Sequence, residues 1–464
     1  MTPALDQRDQ PRDEAPYTLD RPAPKVLSFW DQSAFWANLG VSLLAFSGAY
    51  TVLAPDDNGN PQLSISAGIV AMTVGTVIGA LMLGLAAVPG ARTGAPAMVL
   101  LRGLFGTRLS YLPTVLNIAQ LIGWGTFELI VIAGATKILL PGGPRWLYVL
   151  VAAVITTLLT IWPLGSVRLL RRFVTVAVVI ALGYFYVQFV RAGIPDLGHG
   201  SWSRFWIGVD AALAVSISWV PLAADYTRHS RTAKAAFGAA SVAYAATQIV
   251  AYILGLIALA LAASTNPDDA YRPFQNVALG ALFFGVLVLR EVDQSFADNY
   301  STAVSIQNLL PRADRRVLTV LLGGLTAGLA LMLDIENYFG FLGLIGSVFV
   351  PMLGVLAVDF FVLGRGRDWN VSPAAPSRWG MIGAWAAGFV AYQLINPSDV
   401  GGWAGFWADV RGWVNFTPAT WMSASLLSFA VAGAATYAIG TIAGHSPRRR
   451  RKMVETSAHG DVPV

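Results

Sequence analysis

VDAALAVSISWVPLAADYTR, residues 209–228, reads as a membrane-spanning helix that is interrupted near its middle. Ser216 and Ser218 break its apolar run, and Pro221 then lacks the amide hydrogen that an α-helix needs to continue. A second stretch behaves alike. FWANLGVSLLAFSGAYTVL, residues 35–53, carries Gly40, Ser42, Ser47 and Gly48 at similar depth, and glycine loosens a helix. The two stretches are the first and the sixth of the long apolar runs along the chain. Paired breaks five spans apart point to a transporter built from two inverted five-helix repeats. In such a fold the unwound segments turn carbonyls towards a cation and amides towards a substrate.

Composition agrees with a membrane location. Of 464 residues, 55% are hydrophobic and 12% charged, and the mean hydropathy is +0.58, whereas a soluble chain carries roughly 25% charged residues. Such a chain cannot coat a globule with polar side chains. There is no cysteine, so disulfides and thiolate metal sites are excluded. The segment Met1 to Lys25 is polar and rich in proline, with no apolar core of a cleavable signal peptide. The first span is therefore expected to serve as its own insertion signal.

Apolar runs near 20 residues, the length that crosses about 30 Å of hydrocarbon, fall at 32–53, 63–88, 111–140, 146–163, 172–190, 205–224, 236–263, 274–308, 316–333, 337–363, 379–395 and 420–443. The expected protein is thus an all-α integral membrane protein of about twelve spans. It divides into an N-terminal arm (1–31), a first repeat (32–190), a second repeat (205–363), spans 11 and 12 (379–443) and a basic tail (444–464). If the arm is cytoplasmic, twenty-four Lys and Arg lie inside and five outside (Arg145, Arg191, Arg204, Arg272 and Arg411). This asymmetry predicts an inner-membrane protein with both termini in the cytoplasm. It also argues against a nucleic-acid partner, because the basic residues are scattered anchors and form no continuous patch. The run Arg448 to Lys452 suits anionic lipid.

Ionisable residues inside spans are costly, roughly 2.5–3.5 kcal/mol each on insertion scales, so their positions are informative. Span 3 places Gln120, Trp124 and Glu128 on one face at i, i+4 and i+8. Span 8 contains LREVDQSFADNYSTAVSIQNLLP, residues 289–311. On a regular helix Glu291, Gln294, Ser295, Asp298, Thr302 and Ser305 make one stripe, and Asp293 lies nearly opposite. The stripe must face protein or a water-filled cavity. Hydrogen bonds between helices would explain its serines and threonines. Carboxylates are an expensive way to join helices, which favours function for Glu128 and Asp298. Glu291, placed near a helix end beside Arg290, suits a structural ion pair as well as a transport role. The four histidines fall in loops or tails, which leaves no histidine relay within the spans.

Five strings, in order, resemble nucleobase–cation symport family 1, which includes purine–cytosine permeases and hydantoin and allantoin transporters. They are GARTGAPAMVLLRGLFGTRLSYLP (90–113), GWGTFE (123–128), SISWVPLAADYTR (216–228), DNYSTAVSIQNLLP (298–311) and FGFLGLIGSVFVPMLGVLAVDFF (339–361). The resemblance implies a LeuT-type fold of 5+5 inverted repeats with two additional helices. It carries substrate contacts onto Trp124 and Glu128, onto Ser216 and Ser218, and onto Gln294 and Asp298. Gln120 and Trp219, beside them, are further candidates. A cation would lie between the span 1 break at Gly40, Val41 and Ser42 and span 8 at Asp293, Gln294 and Ser295. The chain departs from the family in having Glu128 where an amide is frequent, Asp298 where Asn is frequent, and Ser216 where several members have an aromatic residue.

These residues fit uptake of a planar heterocycle coupled to Na+ or H+. Trp124 offers a π-face, and Glu128 and Asp298 offer acceptors for amino and ring N–H groups. Cytosine, an aminopyrimidine or an aminopurine suits such acceptors better than a substrate presenting mainly carbonyls; hydroxymethylpyrimidine, hydantoin and allantoin complete the class. No cofactor is expected, and no metal beyond a possible Na+. The alternatives are a channel or facilitator, which would need a pore-lining ring, and a membrane-embedded enzyme, which would need a reactive cluster that the spans lack.

Overall fold

The computed structural model describes residues 14–46, 53, 63–193, 196–198, 200–262, 271–333, 338–398 and 400–444. Among them the chain is helical, and its one β-bridge pairs Leu27 with Ser230. Eight helices are long and apolar enough to cross a membrane, nine if a bent pair counts as one. The remaining expected spans miss those limits for visible reasons. Span 1 is interrupted, span 8 carries four ionisable side chains in its middle, and span 11, Trp379–Ile395, is short. Spans 5 and 9 leave Val176, Val179, Ile180, Val320 and Leu321 more than half exposed, an apolar surface that suits lipid.

Both anticipated breaks are present. Span 1 runs from Phe29 to Leu39, unwinds over Gly40–Ser42 and resumes at Leu43; Ser47 and Gly48 lie outside the described residues. The helix starts earlier than expected because Ser28 and Asp31 form a capping box. Gly40 is required by packing, since a Cβ there would lie 2.6 Å from the Tyr244 carbonyl of span 7. Span 6 is helical over Phe205–Ser218, turns at Trp219, tightens into a 3-10 turn at Val220–Leu222 and ends with Ala223–Thr227. Span 2, Ile65–Thr93, approaches it closely through Gly75 and Gly79, the small-residue packing typical of membrane helices.

Several boundaries differ from the sequence expectation. The run 274–308 is a short helix, Arg272–Gln275, then a separate span 8, Gly280–Leu309, with Leu279 between them in the left-handed region. Arg290 and Glu291 are therefore eleven residues inside span 8 and not near its end. The connection before span 3 (Thr107–Leu139) contains a helix of its own, Ala97–Phe105. Another helix, Trp403–Trp413, lies between spans 11 and 12. Span 4, Arg145–Ile161, bends by 108° at Trp162 into the helix that begins at Pro163.

The arm is tied down as a strap over the ends of several spans. Glu14 accepts from the Leu164 and Gly165 amides at 2.8 and 2.9 Å, capping the helix that follows the bend. The Tyr17 carbonyl accepts from Gln307 and from the Arg315 amide, and the Arg316 guanidinium lies 3.8 Å from the Tyr17 ring centroid. Leu27 pairs with His229 and Arg231. The His229 Nε2 accepts from Arg228, which leaves Nδ1–H to donate to the Pro24 carbonyl at 3.0 Å. Burial, reinforced by the Arg228 charge, holds this imidazole well below its ordinary pKa, so it is neutral.

Candidate functional site

A small cavity lies between the two breaks. Span 1 contributes Leu39, Ser42, Leu44 and Ala45; span 6 contributes Val215, Ser218 and Trp219. Trp124 and Glu128 enter from span 3, Gln248 from span 7, and Gln294 and Asp298 from span 8. The mixture of an apolar wall with a few polar groups is the usual composition of a small-molecule site. Spans 3 and 8 pack side by side at these acids: a Cβ on Gly125, a turn before Glu128, would lie 4.0 Å from Asp298 Cβ, in ordinary van der Waals contact.

Six of the eight substrate candidates thus meet at one cavity. Trp124 packs edge-on against Phe341 of span 10, with centroids 5.6 Å apart. Glu128 and Asp298 are buried, and Oε2 of the first and Oδ2 of the second have no protein hydrogen-bond partner. Ser218 donates to the Val215 carbonyl at 2.7 Å, which leaves its oxygen as an acceptor. Gln120 and Ser216 do not line the cavity. Gln120 donates to Asn117, and Asn117 donates to Ser305, in a chain that joins spans 3 and 8. Ser216 is fully buried against Gly79 of span 2 and back-bonds to the Ala212 carbonyl.

The cation candidates gather where the span 1 break meets span 8, and two of their side chains are engaged with protein. Gln294 Nε2 donates to the Leu39 carbonyl at 3.0 Å, and Ser42 Oγ donates to Glu291 Oε1 at 2.9 Å. Glu291 Oε2 accepts from the Leu43 amide at 3.0 Å and from Arg290 Nη1 at 2.8 Å. Glu291 therefore caps the second half of span 1, as an anion does at a helix N-terminus. Asp293, on the other side of span 8, is buried as well, and Asn38 reaches it at 3.4 Å. Every residue from Arg290 to Ser305 is buried, so this stretch of span 8 is enclosed on all sides and not only along its polar stripe.

The span 6 motif has a structural use. Asp225 accepts from the Ala97 amide, Tyr226 donates to the Ala297 carbonyl, Thr227 to the Ala87 carbonyl and Arg228 to the Tyr300 hydroxyl. Asp210, higher in the same span, caps span 12 through Ser423 and Ala424. Sequence reasoning missed Gln248, a lone amide in the apolar run of span 7. Its signal was available, because TQIVAYILGLIALALA, residues 247–262, holds no other long polar side chain.

Helical repeats broken at matching points around one cavity define a multi-pass membrane transporter of the LeuT type. The chain belongs to the family of permeases for cytosine/purines, uracil, thiamine and allantoin, whose model matches residues 28–373. It is 22% identical over 323 residues to the putative purine-cytosine permease YxlA of Bacillus subtilis (strain 168), covering 64% of this chain and 69% of that one. Its fold is similar to that of Mhp1, a nucleobase-cation-symport-1 family transporter, in a closed conformation with bromovinylhydantoin bound: TM-score 0.70, 15% identity, 93% of this chain and 94% of that one. It is also similar to a Na+-coupled sialic acid symporter in a substrate-bound outward-open state: TM-score 0.56, 10% identity, 93% and 92% covered.

Proposed function

We propose that this permease is a cation-coupled symporter that carries an amino-substituted planar heterocycle of the nucleobase class into the cell. The observation that carries the reading is the cavity itself, an indole wall beside two buried carboxylates that each keep one oxygen without a protein donor. A heterocycle stacks on Trp124, and its amino and ring N–H groups donate to Glu128 and Asp298. Each such charge-assisted contact contributes about 1.5–3 kcal/mol. Gln248 Nε2, also without a partner, supplies a donor for a ring carbonyl, so that cytosine and related aminopyrimidines match the set.

Alternating access then follows from rocking one repeat, 32–190, against the other, 205–363, around the fixed site. The charge asymmetry supports a cytoplasmic side of the inner membrane for the strap, both termini and the tail. The test is a thermal-shift panel of nucleobases, hydantoins and thiamine-precursor pyrimidines on the purified protein. Aminopyrimidines or aminopurines should give the largest shifts, and a panel without any shift would contradict the reading.

A further inference from the structure

A sodium site at an unwound helix needs carbonyl and hydroxyl oxygens that protein donors leave open. At the junction of span 1 with span 8 several of these oxygens are already taken. The Leu39 carbonyl accepts from Gln294, the Leu43 carbonyl from the Tyr271 hydroxyl, and the two Glu291 oxygens from Ser42, Leu43 and Arg290. Unmet donors lie beside them. Arg290 is fully buried, and its Nε and Nη2 have no acceptor. A guanidinium stays charged under all ordinary conditions, and a buried one must be paired. Here its partner is the carboxylate that caps the second half of span 1.

We propose that Arg290 is the resident cation of this junction, a tethered guanidinium in the place a bound metal ion would take, and that no Na+ binds there. Arg290 neutralises Glu291, Glu291 holds Ser42 and the Leu43 amide, and the break keeps its shape without a metal. A metal ion entering the junction would meet a fixed positive charge. Asp293, the remaining acid, is turned towards Asn38. This deepens the reading of the chain as a cation-coupled symporter and rests on it: the coupling ion is then the proton.

The experiment is thermal unfolding of the purified protein without substrate, with NaCl exchanged for choline chloride at constant ionic strength. Ion binding to the folded state would raise the midpoint in proportion to its occupancy. The wild-type midpoint should not move. A saturable, Na+-specific rise of about 2 °C or more would overturn the proposal. Arg290→Met removes the resident charge and frees the side of Glu291 Oε2 that Arg290 held, so the folded variant should acquire the Na+ response that the parent lacks. A folded Arg290→Met protein that stays indifferent to Na+ would overturn the role given to Arg290. If that variant does not fold, the wild-type titration and Arg290→Lys, which keeps the charge and should stay indifferent, decide. No substrate enters these measurements, so they stand or fall apart from the ligand panel, whose failure alone would remove the symporter reading.

Discussion

The two broken spans border one cavity and occupy corresponding places in the fold, yet they are held open by different chemistry. The span 1 break is a knot of charge, in which Glu291 binds Ser42, the Leu43 amide and Arg290 with nothing exposed. Among the described residues, no ion pair holds the span 6 break. Pro221 starts a 3-10 turn, and Trp219 and Ser218 face the cavity. Fold symmetry therefore does not extend to chemistry. One break serves as an electrostatic hinge and the other as part of the proposed substrate wall.

The comparison breaks most readily at Glu291. Glu291→Ala leaves Arg290 buried without its partner, a change that typically costs about 3–5 kcal/mol. A steep loss of thermal stability and of monodisperse protein on size exclusion is expected; wild-type stability would show that the charge knot is not what shapes span 1. Trp124→Ala should weaken binding of the best ligand by about 1–3 kcal/mol, the usual value of stacking on an aromatic face, with little effect on folding. Unchanged affinity would remove Trp124 from the site. Glu128→Gln keeps shape and loses charge. As an acceptor, Glu128 should cost about tenfold in affinity while the original ion dependence of uptake is kept; if it carries the proton instead, exchange survives and accumulation driven by a pH gradient is lost. At the smallest end, Pro221→Ala should change stability by less than about 1 kcal/mol. A larger loss than that of Glu291→Ala would invert the comparison.

The strap adds a pH dependence of known sign. His229 is neutral in the folded protein because burial and Arg228 lower its pKa, whereas in the unfolded chain it titrates near its ordinary value, about 6.5. Its contribution is present above that value and is lost as pH falls through and below it, at up to about 1.4 kcal/mol per pH unit. A His229→Gln protein whose unfolding midpoint falls as steeply as the wild type's between pH 7 and 5 would contradict this.

Most of the fold was readable because its signals are local. Apolar length marks spans, and Gly40, Ser42 and Pro221 mark breaks in the chain itself. Trp124, Glu128 and Asp298 stood out because ionisable and amphipathic residues have few reasons to lie within spans. The rest depended on partners distant in sequence. Ser216 is as polar as Ser218, and only the approach of Gly79 shows that it faces span 2. Asp210 resembles a site acid until Ser423 and the Ala424 amide are seen to take its oxygens. Arg290 and Glu291 read as a helix-end pair because nothing local reveals that span 8 begins at Gly280. The strap was invisible, since Glu14 and Tyr17 are ordinary polar-arm residues until the ends of spans 4, 8 and 9 meet them.

The central claim is that the cavity between these breaks concentrates a nucleobase-like substrate against its gradient. Its most direct test is uptake of radiolabelled cytosine, with an aminopurine in parallel, into proteoliposomes holding an inside-negative potential and an inward proton gradient. A monovalent coupled cation can drive about 50-fold accumulation per 100 mV. The predicted result is saturable accumulation above the external concentration that collapses with a protonophore. Flux that does not saturate and stops at equal concentrations on both sides would contradict it.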